Sequence, residues 1–329
     1  MNLASYFDNG VKIGMVVDDT IWDLQRLYSR YLFEQERIPH ADDLAKTLVP
    51  SDMAMFIRLN HNRLEYYAEA YEKISADSRY FAEPGMSQPV KKVRLLPPVL
   101  APTRILCAGS SYLEYLVEIP NWPKENWPKD VKISFMKQQK CLIGHGETIH
   151  FPGDSTQGDY ENELAIIIGR SCSDISEKDA SKYIFGYSIL NDACIRDIPI
   201  WTGGLDSPRG KANDTQAPLG PWIAPQVFMK KSANELNFTT TVDGELRQKG
   251  NTSGLSWTIE RIVALTSRYF SLSPGDIIST GSTKGNAHVT GKFLKQDQTI
   301  VCTMEEVGTL TNKVNYRKFK GVVPPLAAK

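Results

Sequence analysis

The sequence predicts an α+β protein that is mostly β. Three observations carry this. Short runs of β-branched and aromatic residues recur between turn residues, at 105–109, 164–168, 185–190 and from Phe238 onward. Helical periodicity is confined to a few stretches. No Walker or Rossmann glycine pattern of any strength is present, so nothing argues for βαβ repeats.

The elements follow in order. Residues 2–7 and 11–17 read as a hairpin around Asp8-Asn9-Gly10, because Asn-Gly tolerates the positive φ of a tight turn. Asp18-Asp19 turns the chain into a third strand, 20–24. A helix is expected over 39–48. Another, capped by Ser51, is expected to run to about Ile74, with Met53, Phe56, Ile57, Leu64, Tyr67 and Tyr71 as a packing stripe. Several prolines between 84 and 102 mark a linker, which divides the chain into 1–98 and 99–329. Strands are then expected at 105–109, 134–137, 148–152, 164–168 and 185–191, with two more within 289–307. Short helices are expected at 176–183, with Ser176 as cap, and at 256–270. The tandem pentad Asn121-Trp122-Pro123-Lys124-Glu125, Asn126-Trp127-Pro128-Lys129-Asp130 cannot be regular helix or central strand. It is either a surface loop pinned by its tryptophans or a lid that closes over a site.

Composition narrows the function. The chain has 329 residues, 41% hydrophobic and 23% charged, as an ordinary globular protein does. Lys plus Arg equals Asp plus Glu at 38 each, which argues against nucleic acid or an anionic membrane as partner. The five cysteines form no Cys-x-x-Cys pair and fit free thiols in a reducing, cytoplasmic compartment. No apolar run approaches the roughly 18 residues of a membrane span.

The stretch 158–169 organises the rest. Leu164 to Ile168 is a continuous apolar strand, and Glu161 and Glu163 stand at its mouth. Carboxylates at i and i+2 of a strand point the same way. They are either a solvated strand end or the oxygen ligands of a hard cation such as Mg²⁺. A third acid, Asp192, ends the strand-like run 185–191 and is followed by Arg196 and Asp197.

These residues carry a resemblance. Asp159-Tyr160-Glu161-x-Glu163-Leu164-Ala165, then Asn191-Asp192-x-x-x-Arg196-Asp197, resembles the fumarylacetoacetate hydrolase family. Lys211-Ala212-Asn213-Asp214-Thr215, the turn at 243–248 and Pro274-Gly275-Asp276-Ile277-x-x-Thr280-Gly281 follow in the family's order, over roughly residues 103–315. The resemblance implies a mixed, rolled β-sheet catalytic domain that forms a homodimer, behind a smaller N-terminal α+β domain. It implies Mg²⁺, or Mn²⁺ or Ca²⁺, held by Glu161, Glu163 and Asp192. It implies a small oxo-acid substrate, an acylpyruvate or related 2,4-dioxo acid, cleaved at a C–C bond through an enolate. Lys211 is expected to face a developing oxyanion. Arg196 either binds a substrate carboxylate or forms a structural salt bridge. Tyr112, Thr280 and Gly281 are expected to bind substrate, and Tyr160 to pack.

The chain departs from the pattern in two places. Hydrolases of the family use Asn-Tyr-x-x-His-x-x-Glu to activate water. Here the run is Ser111-Tyr112-Leu113-Glu114-Tyr115-Leu116-Val117-Glu118, with Tyr115 in the histidine's place. Glu118 keeps its place. Glu118, Glu114, Tyr115 or the distant His145 remain as proton-handling groups, and decarboxylation or keto–enol isomerisation becomes the alternative to hydrolysis. Ser282-Thr283-Lys284-Gly285-Asn286 replaces Thr-Pro-x-Gly-Val, so Lys284 adds a charge that hints at an anionic substrate.

Overall fold

A computed structural model describes residues 1–81, 83–119, 123–197 and 207–318. Its centre is the strand Asn162–Ile168, buried along its whole length. Its apolar part, Leu164–Ile168, is stable as a strand only with both faces covered. It pairs antiparallel with Ile184–Asn191, register Glu163↔Leu190, and with Ile277–Ser279, register Ala165↔Ser279. Ile277–Ser279 runs parallel to Ile105–Ala108, and Ile133–Lys137 forms the edge beyond it.

On the other side the sheet does not stop at the linker. Ile184–Asn191 pairs with Ala217–Pro225, which pairs through Leu3↔Ile223 with the N-terminal strand Asn2–Phe7. Val11–Val17, Thr20–Asp23 and Ser87–Pro89 continue the sheet, and Arg94–Leu95 beside Asn2–Phe7 and Leu142–Ile143 beside Ala217–Pro225 bring it to twelve strands. A five-stranded sheet built from 237–251, 299–317 and 148–152 packs nearby, and Gly158–Asp159 pairs separately with Cys194–Ile195. The architecture is mixed and mostly sheet, with no closed barrel. Alternation sorts the central strands. Leu164, Ile166, Ile168 and Ile278 face one core with Phe238 and Ile262. Ala165, Ile167 and Ile277 face the N-terminal helices, where Leu27, Phe56 and Tyr67 lie.

Three readings are corrected, and the short helix at 176–183 is borne out. Leu24 opens the helix Leu24–Glu34 rather than closing a strand, and Asp23 caps it by accepting from the Arg26 N–H at 3.1 Å. The helix expected to run from Ser51 to Ile74 is two helices, Met53–Asn60 and Leu64–Ser75, and Asp52 is the cap. Asn60 ends the first by donating to the Leu48 and Phe56 carbonyls at 2.7 and 2.9 Å. Residues 177–183 form a 3₁₀ helix under the Ser176 cap. The two late strands are Thr299–Met304 and Gly308–Arg317, and residues 287–290 form a helical turn instead.

Candidate metal centre

Glu161, Glu163 and Asp192 come together because two strand ends are tied. The Glu161 N–H donates to Asn191 Oδ1 at 3.0 Å, and the Asp192 N–H donates to the Glu161 carbonyl at 2.8 Å. One oxygen from each carboxylate lies within 4.8 Å of the others, and all three residues are buried, at 6%, 3% and 1% exposure. The solvated-strand-end alternative is therefore excluded.

One side of this trio is filled with cations. Lys211 Nζ binds both Glu161 Oε2 and Asp192 Oδ2, and lies over the Phe135 ring. Arg196 Nε donates to Asp159 Oδ2 at 2.9 Å and its Nη2 to Glu161 Oε1. Of the two roles left open for Arg196, the ion pair is present, with Asp159 and Glu161 as its acids. Asp197 instead accepts from Ser155 Oγ and the Thr156 N–H. Asn286 Nδ2 also donates to Glu161 Oε1, at 2.9 Å. Lys137 is a member that sequence reasoning missed. Its Nζ sits 2.7 Å from Asp192 Oδ1, an ion contact whose angles miss those of a hydrogen bond, and donates to the carbonyls of Ala193, Lys211 and Gln216.

The other side is neutral. Glu163 Oε2 accepts from Ser279 Oγ and from the Gly281 N–H at 2.9 Å. Thr280 is fully buried beside it, and its N–H donates to the Leu164 carbonyl. The two carboxylates answer differently. Burial pushes Glu161 up, but Lys211 and Arg196 overcome it and hold Glu161 down at about 2. Burial, then Asp192 and Glu161, push Glu163 well up; the Ser279 hydrogen bond and the more distant Lys211 offset them only in part, and Glu163 has no ion pair among the described residues.

The helix Leu113–Glu118 closes one flank. Tyr115 is buried; burial pushes its phenol well up, and Arg196, Glu161, Lys211 and Asp159 act on it electrostatically. Tyr112 is buried too, its ring edge-on to Phe238, with Glu163 nearby. Glu118 accepts from the Gly285 N–H at 3.0 Å, and Glu114 pairs with Lys284 at 3.0 Å near the surface. Of the tandem pentads, Asn121 and Trp122 lie outside the described residues; Lys124–Asn126 is a 3₁₀ turn, with Lys124 over the Trp127 ring. Tyr160 packs and donates to the Gly285 carbonyl. His145 is taken up by the strand Gly308–Arg317, where Nδ1 accepts from the Thr311 N–H. His288 is the histidine that faces the site. Its backbone N–H donates to Asp159 Oδ2 at 3.1 Å, and burial and then Arg196 hold its imidazole below the usual range, with Asp159, Glu161 and Lys211 also acting on it.

A second acidic group, Asp159, Glu161 and Cys194, is equally buried. Asp159 is already saturated, accepting from the N–H groups of Tyr160, Ala287 and His288 and from Arg196. That leaves no oxygen for an ion. The trio Glu161, Glu163 and Asp192 does fit a divalent cation. It offers three hard oxygens, and Glu163 carries an only partly offset like-charge repulsion that such an ion relieves. Among the described residues, four carboxylates, all ionised once an ion is bound, would face three fixed cations, Lys137, Arg196 and Lys211, so a divalent ion would bring the site to one positive charge. The described helices include none long and apolar enough to cross a membrane.

Comparison with known proteins agrees with this geometry. The family model of the fumarylacetoacetate (FAA) hydrolase C-terminal domain matches residues 104–315. Oxaloacetate tautomerase YisK of Bacillus subtilis is 30% identical over 311 residues, 93% of this chain and 97% of its own length. The structure of maleylpyruvate hydrolase from Sphingobium sp. SYK-6, solved with manganese(II) and pyruvate, is 26% identical with a TM-score of 0.70, over 97% of this chain and 100% of the other. The 5-carboxymethyl-2-hydroxymuconate delta-isomerase of Mycobacterium smegmatis is 27% identical with a TM-score of 0.66, over 96% and 100%.

Proposed function

This chain belongs to the fumarylacetoacetate hydrolase family, and from that premise we propose that it is a metal-dependent tautomerase of an oxaloacetate-like 2-oxo acid. The observation that carries the reading is the flank at 111–118. A hydrolase of this kind needs a base to activate water. Here the position holds a buried Tyr115 whose phenol keeps its proton, and Glu118 spends a carboxylate oxygen on the Gly285 N–H. The likeness to YisK over nearly the whole length supports the same reading.

A divalent cation bound by Glu161, Glu163 and Asp192 would act as a Lewis acid on the oxo acid's vicinal oxygens. The remaining steps belong to the chain. Lys211, fixed between Glu161 and Asp192, places an ammonium beside the oxygen that gains charge as the enolate forms. Arg196 holds Glu161 ionised and in place. Tautomerisation moves one proton between C3 and the C2 oxygen. We assign its transfer to the His288 imidazole, held below its ordinary range by burial, which takes it from C3 and returns it at the C2 oxygen, with the Tyr115 phenol as a neutral hydrogen-bond donor; Arg196, Asp159, Glu161 and Lys211 act electrostatically on both. The positive surplus of the loaded site suits a dianionic substrate.

C–C hydrolysis of an acylpyruvate is the second reading, supported by the likeness to maleylpyruvate hydrolase. The two separate in ¹⁸O-labelled water with Mn²⁺ or Mg²⁺ and an EDTA control. Keto–enol exchange of oxaloacetate, abolished by EDTA and without label in any carboxylate, is expected. Label in a cleaved carboxylate from acetylpyruvate would establish hydrolysis instead. The homodimer is part of the same proposal; light scattering that gives a monomer at micromolar concentration removes it.

A further inference from the structure

Two hydroxyls beside Glu163 have no hydrogen-bond partner among the described residues: Ser111 Oγ and Thr280 Oγ1. Both residues are 0% exposed. A buried hydroxyl left unpaired is destabilising, so each position calls for a polar atom from outside the described chain.

Ser111 is held where it is. Ser110 before it takes left-handed backbone, φ 58°. The Ser256 N–H donates to the Ser111 carbonyl at 2.8 Å, and Tyr112 bridges Leu255. Strained backbone pinned on both sides is how a fold fixes a side chain that other forces would release. The result presses the hydroxyl against Gly281: a methyl group built there would lie 2.9 Å from Ser111 Oγ and 3.2 Å from the Ala108 carbonyl. Gly281 has φ 88°, which permits this approach, and its N–H is the one bound to Glu163 Oε2. Ser111 Oγ, the Gly281 backbone and the Glu163 carboxylate therefore adjoin one another, with Thr280 next in the chain. Position 111 is also where serine stands for the asparagine of the resembling pattern.

We propose that the Ser111 hydroxyl joins that of Thr280, whose substrate contact the family resemblance already implies, as a further substrate-binding donor that takes an oxygen of the oxo acid on the Glu163 side of the site. The anion is then charge-paired at the Lys211 and Arg196 side and hydrogen-bonded by neutral groups at the other.

This rests on the oxo-acid reading above, and the test does not need turnover. Oxalate carries the same vicinal oxygens and does not react, so it is titrated calorimetrically into Mn²⁺-loaded protein. Ser111→Ala weakens oxalate by about 10–100-fold, as loss of a hydrogen bond to a charged group does, while Mn²⁺ affinity stays within about threefold. Ser111→Thr, which keeps the hydroxyl, restores most of the binding, and Thr280→Val shifts it in the direction of Ser111→Ala. Unchanged oxalate affinity in Ser111→Ala overturns the inference, because water alone then satisfies the hydroxyl. A parallel fall in Mn²⁺ affinity also overturns it, because Ser111 then only props Gly281 and Glu163. Loss of oxalate in Ser111→Ala with no tautomerase activity in the wild type removes the proposed reaction and leaves this inference standing. Wild type that binds Mn²⁺ but ignores oxalate removes both.

Discussion

The two walls of the carboxylate trio solve the same problem in opposite ways. Around Glu161 and Asp192 the buried charge is met by buried charge: Lys137, Arg196 and Lys211 each make ion contacts there. Around Glu163 it is met by Ser279 Oγ and one backbone N–H, and the next hydroxyls along have no partner among the described residues. The first wall is complete without a ligand. The second is completed by one. A site that must hold a cation and an anion together gains from this asymmetry, because only the incomplete wall has anything left to offer.

Breaking the complete wall should have the largest effect. Lys137→Met leaves Asp192 with one cation and strips three carbonyls of a donor, so a loss of about 3–5 kcal/mol in urea-induced unfolding is expected. A variant as stable as wild type would mean the lysine is not needed where it lies. Breaking the incomplete wall should cost binding and little stability. Glu163→Gln is expected to lower Mn²⁺ affinity by at least about 100-fold by calorimetry, with a metal-free urea midpoint equal to wild type or higher. A fall in midpoint would show that Glu163 is compensated after all.

Acidity sharpens the contrast in EDTA-treated protein. Glu163 is raised above the ordinary glutamate value of 4.5, so its native form holds the proton longer than the unfolded chain does. Its stability contribution is full below 4.5 and is lost as pH rises through the shifted value. Glu161 is held at about 2, so its contribution is present above 4.5 and is lost as pH falls toward 2. Glu163→Gln should flatten the alkaline-side decline and Glu161→Gln the acid-side one; the same limb flattened by both would collapse the distinction. At the rim, Lys284→Ala removes a half-exposed pair with Glu114, and no measurable shift in urea midpoint is expected.

How much of this was legible follows the range of each interaction. Glu161, Glu163 and Asp192 could be read because strand alternation and two strand ends are local facts. So could the N-terminal hairpin and the Ser176 cap. The helix Leu24–Glu34 was missed, although Leu24, Leu27, Tyr28, Tyr31 and Leu32 recur at helical spacing behind an Asp23 cap, because the strand-forming Thr20-Ile21-Trp22 carries the β reading through Leu24. Lys137 was not legible, because a lysine ending an edge strand signals solvent, and only the fold turns it onto three carbonyls. Asp159 and His288 meet across more than a hundred residues, a pairing no spacing encodes. Ser111 showed as a departure from a pattern, but its lack of a partner is a fact of packing.

One consequence of the continuous twelve-stranded sheet concerns synthesis. Leu3 finds its partner at Ile223, so the N-terminal hairpin cannot dock until more than two hundred further residues have left the ribosome. At roughly 5–20 residues per second, that is a wait of roughly 10 to 45 seconds. Tyr6 and Phe7 can pair with Leu95 and Arg94 early in that interval, but the edge around Leu3 stays unpaired until its end, the kind of edge that invites pairing with another chain.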